Sequence, residues 1–226
     1  MSSVKIVAVT KPLIEGITTA EEFVAYAARV SNPGNQMNNE TSAKLMRYLI
    51  KNHHWSPLEQ VSVTMEISTT RDIGRQILRH RSFSFQEFSQ RYADAREMGF
   101  EYREARLQDQ KNRQNSIETD DLKILEDWNA IQRGVLDQSQ AAYDWAIKNG
   151  VAKEQARAVL PEGMTKSRMY MTGSLRSWCH YCQLRCANGT QKEHREIALA
   201  AWDMICDEFP SIAEISADIL NTIEGK

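Results

Sequence analysis

The segment Arg79–Arg91, with the sequence RHRSFSFQEFSQR, constrains this chain more than any other. It places three arginines and a histidine beside carboxamides, hydroxyls and the carboxylate of Glu87. Guanidinium groups packed this densely repel one another and are poorly satisfied by water alone, so few folds tolerate such a segment without an anion to bind. Because the planar arginine fork matches phosphate oxygens in a bidentate manner, the segment predicts a nucleotide phosphate site.

A solvated helix face is the alternative interpretation, since arginine is common on exposed helix surfaces. Segment 71–91 carries five arginines against Asp72 and Glu87, in a chain whose formal net charge is only −2. It also carries three interleaved phenylalanines, Phe83, Phe85 and Phe88. These observations favour a partly buried anion site. For Arg71 and Arg75 we keep the expectation of a solvated or interface face.

Composition limits the remaining classes of protein. The 226 residues are expected to form one domain, 1–226. No run of about 18 apolar residues occurs and none follows Met1, so we expect neither secretion nor membrane insertion. Four cysteines without a signal peptide indicate reduced thiols and a cytoplasmic protein. The near-neutral net charge argues against a nucleic-acid partner. The sequence contains no glycine-rich phosphate-binding loop, so the phosphates of any bound dinucleotide would have to be bound by side chains.

Hydrophobic periodicity predicts an α+β fold, with several long helices packed around a small, mostly antiparallel sheet. The strands are expected at Val4–Val9, Val61–Ile67 and Lys166–Thr172. The helices are expected at 19–30, 39–53, 69–81, 122–148, 151–160, 175–187, 190–208 and 211–222. Capping boxes are expected at Thr19–Glu22, Thr190–Glu193 and Ser211–Glu214. The polar segment around 94–121 is expected to be a loop or insertion.

Cys179, Cys182 and Cys186 follow one another at helical spacing. Such a set suggests either a metal site or small apolar residues of the core. Their neighbours Leu175 and Trp178 favour the core, and we expect no metal site.

Five motifs occur in an order that resembles the flavin-dependent thymidylate synthases. The main motif is Arg-His-Arg, seven residues, Ser and, two positions later, Arg, at Arg79–Arg91. The other motifs are Arg29-Val30-Ser31, His54-Trp55-Ser56-Pro57-Leu58-Glu59, Arg157-Ala158-Val159-Leu160-Pro161, and Ser174-Leu175-Arg176-Ser177 followed by Leu184-Arg185. The set spans roughly residues 26–195, so the resemblance covers most of the chain.

The resemblance implies two groups of site residues. Those expected to bind FAD are Ser31, His54, Ser56, Glu59, Arg79, His80, Arg81, Glu87, Ser174, Arg176 and His180. Those expected to bind dUMP are Gln76, Arg79, Glu87, Phe88, Ser89, Gln90, Arg91, Arg157 and Arg185. The chain departs from the family pattern at Ser56, Gln86, Gln90, Ser174, His180 and Gly189, and no flavin contact is carried over to Gly189.

The reaction implied by the resemblance is reductive methylation of dUMP to dTMP. Carbon would come from 5,10-methylenetetrahydrofolate and hydride from FAD reduced by NADPH, without an enzyme nucleophile. Ser89 would therefore donate to phosphate, because no adjacent base in the sequence activates it. Arg185 would be catalytic, since a guanidinium can stabilise negative charge developing on the uracil.

The helix expected at 175–187 also bears on assembly. Arg176 and Arg185 are nine residues apart and, at about 100° per residue, point to opposite sides of that helix. If Arg176 and His180 contact flavin while Arg185 contacts substrate, one helix serves two sites, as at a subunit junction. We therefore expect an oligomer with shared sites, and the resemblance implies a homotetramer.

Two alternatives remain open at this stage. An RNA-binding module would use the arginines for phosphate and Phe83, Phe85, Phe88 and Tyr92 for base stacking. The other class of thymidylate synthase uses a cysteine nucleophile in a Pro-Cys-His setting. Cys179-His180 resembles that motif only weakly, because Trp178 precedes the cysteine.

Overall fold

The computed structural model describes residues 2–221, and these residues form two compact units. The long-helix unit comprises Ser2, Ser68–Arg79 and Gln86–Met169. The paired-helix unit comprises Ser3–Ile67, His80–Phe85 and the described residues from Tyr170 onward. A single domain over 1–226 stays a prediction. Thr222, the expected end of the last helix, lies outside the described residues.

The strands are β1 (Ser3–Val9), β2 (Ser62–Thr70), β3 (Phe83–Glu87), β4 (Arg106–Gln108), β5 (Ser116–Glu118) and β6 (Lys166–Ser174). Four of them form a sheet in the order β1-β2-β6-β3, and β4 pairs with β5 as a short antiparallel hairpin. β2 and β6 are antiparallel, since Leu175 N donates to Val61 O while Arg71 N donates to Thr165 O. Buried residues alternate along β2, as its sequence predicts for a strand with one wet face.

The helices are α1 (Ala20–Ala28), α2 (Ser42–Lys51), α3 (Arg71–Ile77), α4 (Leu122–Lys148), α5 (Lys153–Ala156), α6 (Leu175–Arg185), α7 (Lys192–Glu208), α8 (Pro210–Ala213) and α9 (Ser216–Asn221). The expected α+β class is confirmed. α4 has the predicted bounds because both of its ends are specified locally. The Asp121 carboxylate accepts from the first backbone N–H groups, and Gly150 after the helix adopts a φ of +77°.

The three expected capping boxes have different outcomes. Thr19 and Glu22 form a complete box at the start of α1. The box at Thr190 is wrong, because the N-cap of α7 is Gln191 and the Glu193 carboxylate accepts from the Gln191 side chain at 2.9 Å. The box at Ser211 is also wrong. Ser211 N donates to Glu21 Oε2 at 3.2 Å, a partner distant in sequence.

Strand β3 was not expected, and segment 94–121 is more ordered than a loop. Besides β4 and β5, this segment forms an antiparallel bridge between Phe100 and Thr165. Arg103 Nη2 lies 2.6 Å from Asp72 Oδ1 and so connects the segment to α3. Both features depend on partners that are far away in the sequence. Hydrophobic periodicity is a local pattern and does not predict such partners.

The paired-helix unit is built around an aromatic cluster on α6 and β3. The Phe83 ring packs edge-on against Trp178, with centroids 4.9 Å apart, and against Tyr181 at 5.9 Å. Gly173 of β6 lies directly over this ring. A Cβ added at Gly173 would come within 2.4 Å of Phe83 Cδ1, so the position requires glycine.

The expectation that the cysteines of α6 pack in the core is confirmed. Cys179 and Cys182 are fully buried and Cys186 is 9% exposed. Burial raises the pKa of the Cys179 thiol to about 12. The Cys179 thiol is therefore protonated at neutral pH, and it packs as a small apolar group of the core.

Within residues 2–221, no helix combines the length and the apolar character needed to cross a bilayer.

Candidate active site

Two segments of the predicted flavin set meet in the paired-helix unit. Arg176, in the first turn of α6, forms an ion pair with Glu59 in the 3₁₀ turn Ser56–Gln60. One turn further along α6, the His180 ring packs edge-on against Trp55 with centroids 4.7 Å apart. Burial and, secondarily, Arg176 lower the pKa of His180. Its imidazole is thus neutral at pH 7.

Ser31 and His54 lie around a neighbouring part of the same unit. Ser31 lines a cavity of about 560 Å³ between α1 and α2, together with Tyr48. The Tyr48 ring in turn packs edge-on against His54, with centroids 5.9 Å apart. Arg29 of the same motif has a structural role. It is 8% exposed, and its Nη2 donates to Thr41 Oγ1 at 2.8 Å, which holds the loop that carries Ser31.

The two remaining serines of the flavin set lie at the starts of helical segments. Ser56 begins the 3₁₀ turn and lines a cavity of about 410 Å³ with residues of α1. Ser174 is the N-cap of α6, and its Oγ accepts from Ser177 N at 3.2 Å. Ser177 Oγ donates to Ser82 O at 3.2 Å. This bond connects the start of α6 to the segment that carries Arg81, whose exposed guanidinium forms no ion pair within residues 2–221.

A polar cluster lies at the last turn of α6. Arg185 Nε donates to His80 Nε2 at 2.9 Å. The His80 ring packs edge-on against Tyr181, with centroids 4.9 Å apart. The Tyr181 hydroxyl lies 3.0 Å from His194 Nε2, and both side chains are buried. The fold thus brings Arg185 and His80, which are 105 positions apart in the sequence, into direct contact.

Both histidines of this cluster are neutral at pH 7. Burial and then the nearby Arg185 lower the pKa of His80 to about 4. Burial, Arg185 and His80 lower that of His194 to about 3. A neutral His80 can accept from Arg185 because its Nε2 carries no proton. The terminal nitrogens of Arg185 form no hydrogen bond within residues 2–221, so they can donate to a ligand.

The long-helix unit holds most of the predicted substrate set. Glu87, at the end of β3, accepts through Oε1 from Ser167 Oγ at 2.7 Å and from Arg71 Nη1 at 3.4 Å. Gln76 is half-buried near the end of α3, whereas Arg79 just beyond it is exposed. Arg79 forms no ion pair within the described part of the chain.

The segment after Glu87 forms a turn. Phe88 N donates to Arg168 O at 2.8 Å, and Ser89 O accepts from two backbone N–H groups further along the turn. Arg91 forms an ion pair with Glu154 at 3.1 Å. Ser89 itself is exposed, and the described part of this unit contains no histidine that could act as its base. Within the described part of this unit, Ser89 therefore has no histidine base that would activate it as a nucleophile.

A cavity of about 210 Å³ in the same unit brings Gln90 and Arg157 of the substrate set together. Arg71, Arg75 and Glu162 also line it. The Arg71 side chain is only 12% exposed and pairs with Glu87 and Glu162, so the expectation of a solvated or interface face is wrong for this residue. Arg75 is more exposed but is bound to Glu162. The four-residue spacing of Arg71 and Arg75, which places both side chains on one face of α3, was the one sequence signal for this group.

Comparisons with known proteins agree with these motifs. The family model described as thymidylate synthase complementing protein matches residues 12–211. A probable flavin-dependent thymidylate synthase of Paramecium bursaria Chlorella virus 1 is 49% identical, over 94% of this chain and 97% of the relative. A flavin-dependent thymidylate synthase of Synechocystis is also 49% identical, over 93% and 97%.

Solved structures share the fold. The UMP/dUMP methylase PolB from Streptomyces cacaoi, bound with 5-Br UMP, has a TM-score of 0.81 at 24% identity and covers 97% of this chain and 95% of its own. The same enzyme bound with 5-Br dUMP has a TM-score of 0.78 at 26% identity. The family model and the two relatives with 49% identity together show that this chain belongs to the flavin-dependent thymidylate synthase family.

Proposed function

We propose that this chain is a thymidylate synthase that converts dUMP to dTMP by reductive methylation. In this proposal 5,10-methylenetetrahydrofolate provides the carbon, FAD is the cofactor and NADPH is the reductant. The reaction would take place in the cytoplasm, and the four free cysteines are consistent with a reducing compartment.

One observation carries the proposal: two contacts in the paired-helix unit join motifs that are far apart in the sequence. Arg176 pairs with Glu59, and Arg185 bonds to His80. All four residues were assigned to flavin or uracil from the motifs, and a coincidental resemblance gives no reason for them to pair in this way.

The residues fit a flavin in chemical type. FAD carries a pyrophosphate, and the exposed guanidinium groups of Arg79 and Arg81 form no ion pair within residues 2–221. We assign FAD to Ser31, His54, Ser56, Glu59, Arg79, His80, Arg81, Glu87, Ser174, Arg176 and His180. When bound, FAD supplies the hydride that completes the methyl group.

The substrate is assigned to the second set of residues that the resemblance implies. We place Gln76, Arg79, Glu87, Phe88, Ser89, Gln90, Arg91 and Arg157 around the nucleotide. Arg185 acts on the base: its free guanidinium nitrogens donate to uracil and stabilise the negative charge that develops as C5 becomes nucleophilic. Neutral His80 orients Arg185 by accepting from Nε, which leaves the terminal nitrogens directed to the ligand.

The purified protein is expected to be yellow and to release tritium from dUMP labelled at C5. Release follows because the new methyl group replaces the hydrogen at C5. The assay requires FAD, NADPH and 5,10-methylenetetrahydrofolate, and each is omitted in turn as a control. A colourless protein that takes up no FAD but binds RNA, with affinity falling steeply with salt, would establish the RNA-binding alternative instead.

The proposal includes a homotetramer with sites shared between subunits, supported by an apolar stripe on α4. Ile124, Trp128, Ile131 and Val135 are 38–59% exposed and follow one another at helical spacing. An exposed apolar stripe of this kind is typical of a surface that packs against another chain. A second copy of the same chain is the occupant that shared sites require.

Ile131→Asp is therefore expected to shift the protein from tetramer to smaller species and to lower its activity. The introduced carboxylate would have to be buried without a partner in the interface. Sedimentation velocity measures the mass, and Asn129→Asp is the matched control. Asn129 is also exposed but lies about 130° from the stripe around the helix axis, at about 100° per residue. A wild-type protein that is monomeric and fully active contradicts the shared sites.

A further inference from the structure

The core between α6 and α7 contains a polar pair to which the proposed reaction assigns no role. The Tyr181 hydroxyl lies 3.0 Å from His194 Nε2, the tyrosine is 2% exposed and the histidine is fully buried. Buried hydroxyl and imidazole groups cost free energy unless they are hydrogen-bonded. An apolar pair of the same shape can fill such a space with nearly equal stability. Packing alone therefore does not explain why these two residues are polar.

The Tyr181 ring is held at both of its ends. Its hydroxyl bonds to His194, and its ring packs edge-on against Trp178 and Phe83, with centroids 5.7 Å and 5.9 Å away. The ring also packs edge-on against His80, with centroids 4.9 Å apart and 82° between the planes. The His194 ring lies edge-on to His80 as well, at 6.2 Å. Tyr181 and His194 thus form a wall that limits how the His80 ring can turn.

The orientation of the His80 ring decides whether it can hold Arg185. Its Nε2 accepts a hydrogen bond from Arg185 Nε at 2.9 Å. The lone pair of a neutral imidazole nitrogen lies in the ring plane, so a turn of the ring directs Nε2 away from the guanidinium. A displacement of the wall would therefore reach Arg185 through His80.

The groups that face His80 also determine its charge. They are Arg185 and Tyr181 on α6 and His194 on α7. Burial, followed by Arg185, lowers the pKa of His80 to about 4, and burial raises the pKa of the Tyr181 hydroxyl. Since His194 is neutral as well, Arg185 is the charged member of this cluster at pH 7. A His80 ring that turned into solvent would lose both causes, so its pKa would rise toward the ordinary value of about 6.5.

We propose that Tyr181 and His194 are positioning residues of the reaction. Their buried hydrogen bond fixes the Tyr181 ring, this ring fixes the His80 imidazole, and His80 holds Arg185 in the orientation that binds uracil. Both residues are buried, so they act through His80 and do not contact the substrate. The inference rests on the proposed function, in which Arg185 stabilises the charge that develops on the base.

Tyr181→Phe keeps the ring but removes the hydroxyl that anchors it. A catalytic group displaced by about 1 Å can lose about 10²-fold in rate, so we expect this partial displacement to lower kcat for dUMP about tenfold. KM and the flavin absorbance should change little. NMR titration of the FAD-loaded protein is expected to show the pKa of His80 above its wild-type value of about 4.

The pH profile gives a second measurement on the same variant. A protonated His80 cannot accept from Arg185, so kcat of Tyr181→Phe should fall as the pH is lowered through the raised pKa of His80. In the wild type, protonation of His80 contributes no such fall until the pH approaches about 4.

Tyr143→Phe is the matched control. Tyr143 is also fully buried, and its hydroxyl accepts from Ala95 N at 3.3 Å in the long-helix unit. Loss of this hydroxyl likewise leaves a buried partner unpaired, so it should lower the free energy of unfolding. It should leave kcat and the pKa of His80 unchanged, because Tyr143 does not contact the cluster on α6.

The double variant Tyr181→Phe with His194→Leu separates positioning from stability. Because both polar groups are replaced by apolar ones, it is expected to unfold at a urea concentration close to that of the wild type. His194→Leu alone leaves the Tyr181 hydroxyl unpaired and should unfold earlier. We expect the double variant to keep the low kcat and the raised pKa of His80. His194→Gln, which can still bond to the hydroxyl, should retain more of both wild-type values.

Recovery of kcat together with stability in the double variant overturns the proposal, since the pair would then only fill the core. A Tyr181→Phe variant with the kcat and the His80 pKa of the wild type overturns it as well. The proposed function is tested separately. A wild-type protein that releases no tritium from dUMP refutes that function, while a raised pKa of His80 in Tyr181→Phe still supports the link from Tyr181 to Arg185.

Discussion

Arg185→Ala is expected to lower the turnover of dUMP by about 10²–10³-fold, the usual effect of removing one donor that stabilises a developing anion. The residue is at the end of α6, where its loss leaves the aromatic core of the paired-helix unit intact. The variant should therefore fold and bind FAD like the wild type. Tritium release at saturating substrate measures the change, and flavin absorbance verifies the cofactor.

A second measurement separates this role from a general loss of structure. Arg185 is one of the causes that lower the pKa of His80 to about 4, so the pKa should rise in the variant. NMR titration of the imidazole detects this rise. Arg47→Ala is the control, since it removes only a surface ion pair with Glu214 and should change turnover little. Wild-type turnover in Arg185→Ala would refute the catalytic assignment.

Gly173→Ala is expected to destabilise the protein by about 3 kcal/mol, at the upper end of the cost of adding a methyl group to a packed core. The new Cβ would lie 2.4 Å from the Phe83 ring, which cannot simply rotate away. Trp178 and Tyr181 hold that ring at centroid distances of 4.9 Å and 5.9 Å. Urea denaturation measures the change in the free energy of unfolding.

The same substitution at Gly134 is the matched control. Gly134 lies in α4, is exposed, and has no heavy atom within 4 Å of an added Cβ. Alanine there should stabilise the protein by about 0.5–1 kcal/mol through its higher helix propensity. Equal stability changes at the two positions would mean that the contact with Phe83 does not restrict residue 173.

The elements predicted correctly are those whose signals are local. α4 has a carboxylate cap at Asp121 and a glycine after its end, and both of its bounds were predicted. The Thr19 box and the alternation of β2 were also confirmed. The boxes at Thr190 and Ser211 failed because other residues bind the same groups: Gln191 donates to Glu193, and Glu21 accepts from Ser211.

The site shows the same division between local and distant causes. Motif order in the sequence was sufficient to select Glu59, His80, Arg176 and Arg185 and to indicate the family. Nothing in the order of residues indicated that Glu162 would meet Arg75, 87 positions away. Nor did it indicate that Gln90 Nε2 would be buried with no hydrogen-bond partner among residues 2–221. The burial of Arg71 was missed for the same reason, since its partner Glu87 lies on a strand that was not expected.

Residue types and spacings within one or two helical turns are thus enough to specify the helices, the principal strands, the family and the chemical kind of ligand. The partner of each charged side chain is decided only when β3, β6 and α3 pack. Ion pairs and buried hydrogen bonds depend on distances of a few ångströms between atoms that are far apart in the sequence. For this reason the sequence of Arg79–Arg91 predicts an anion site. Only the packing of α3 determines that Arg71, Arg75 and Glu162 line the cavity that also contains Gln90.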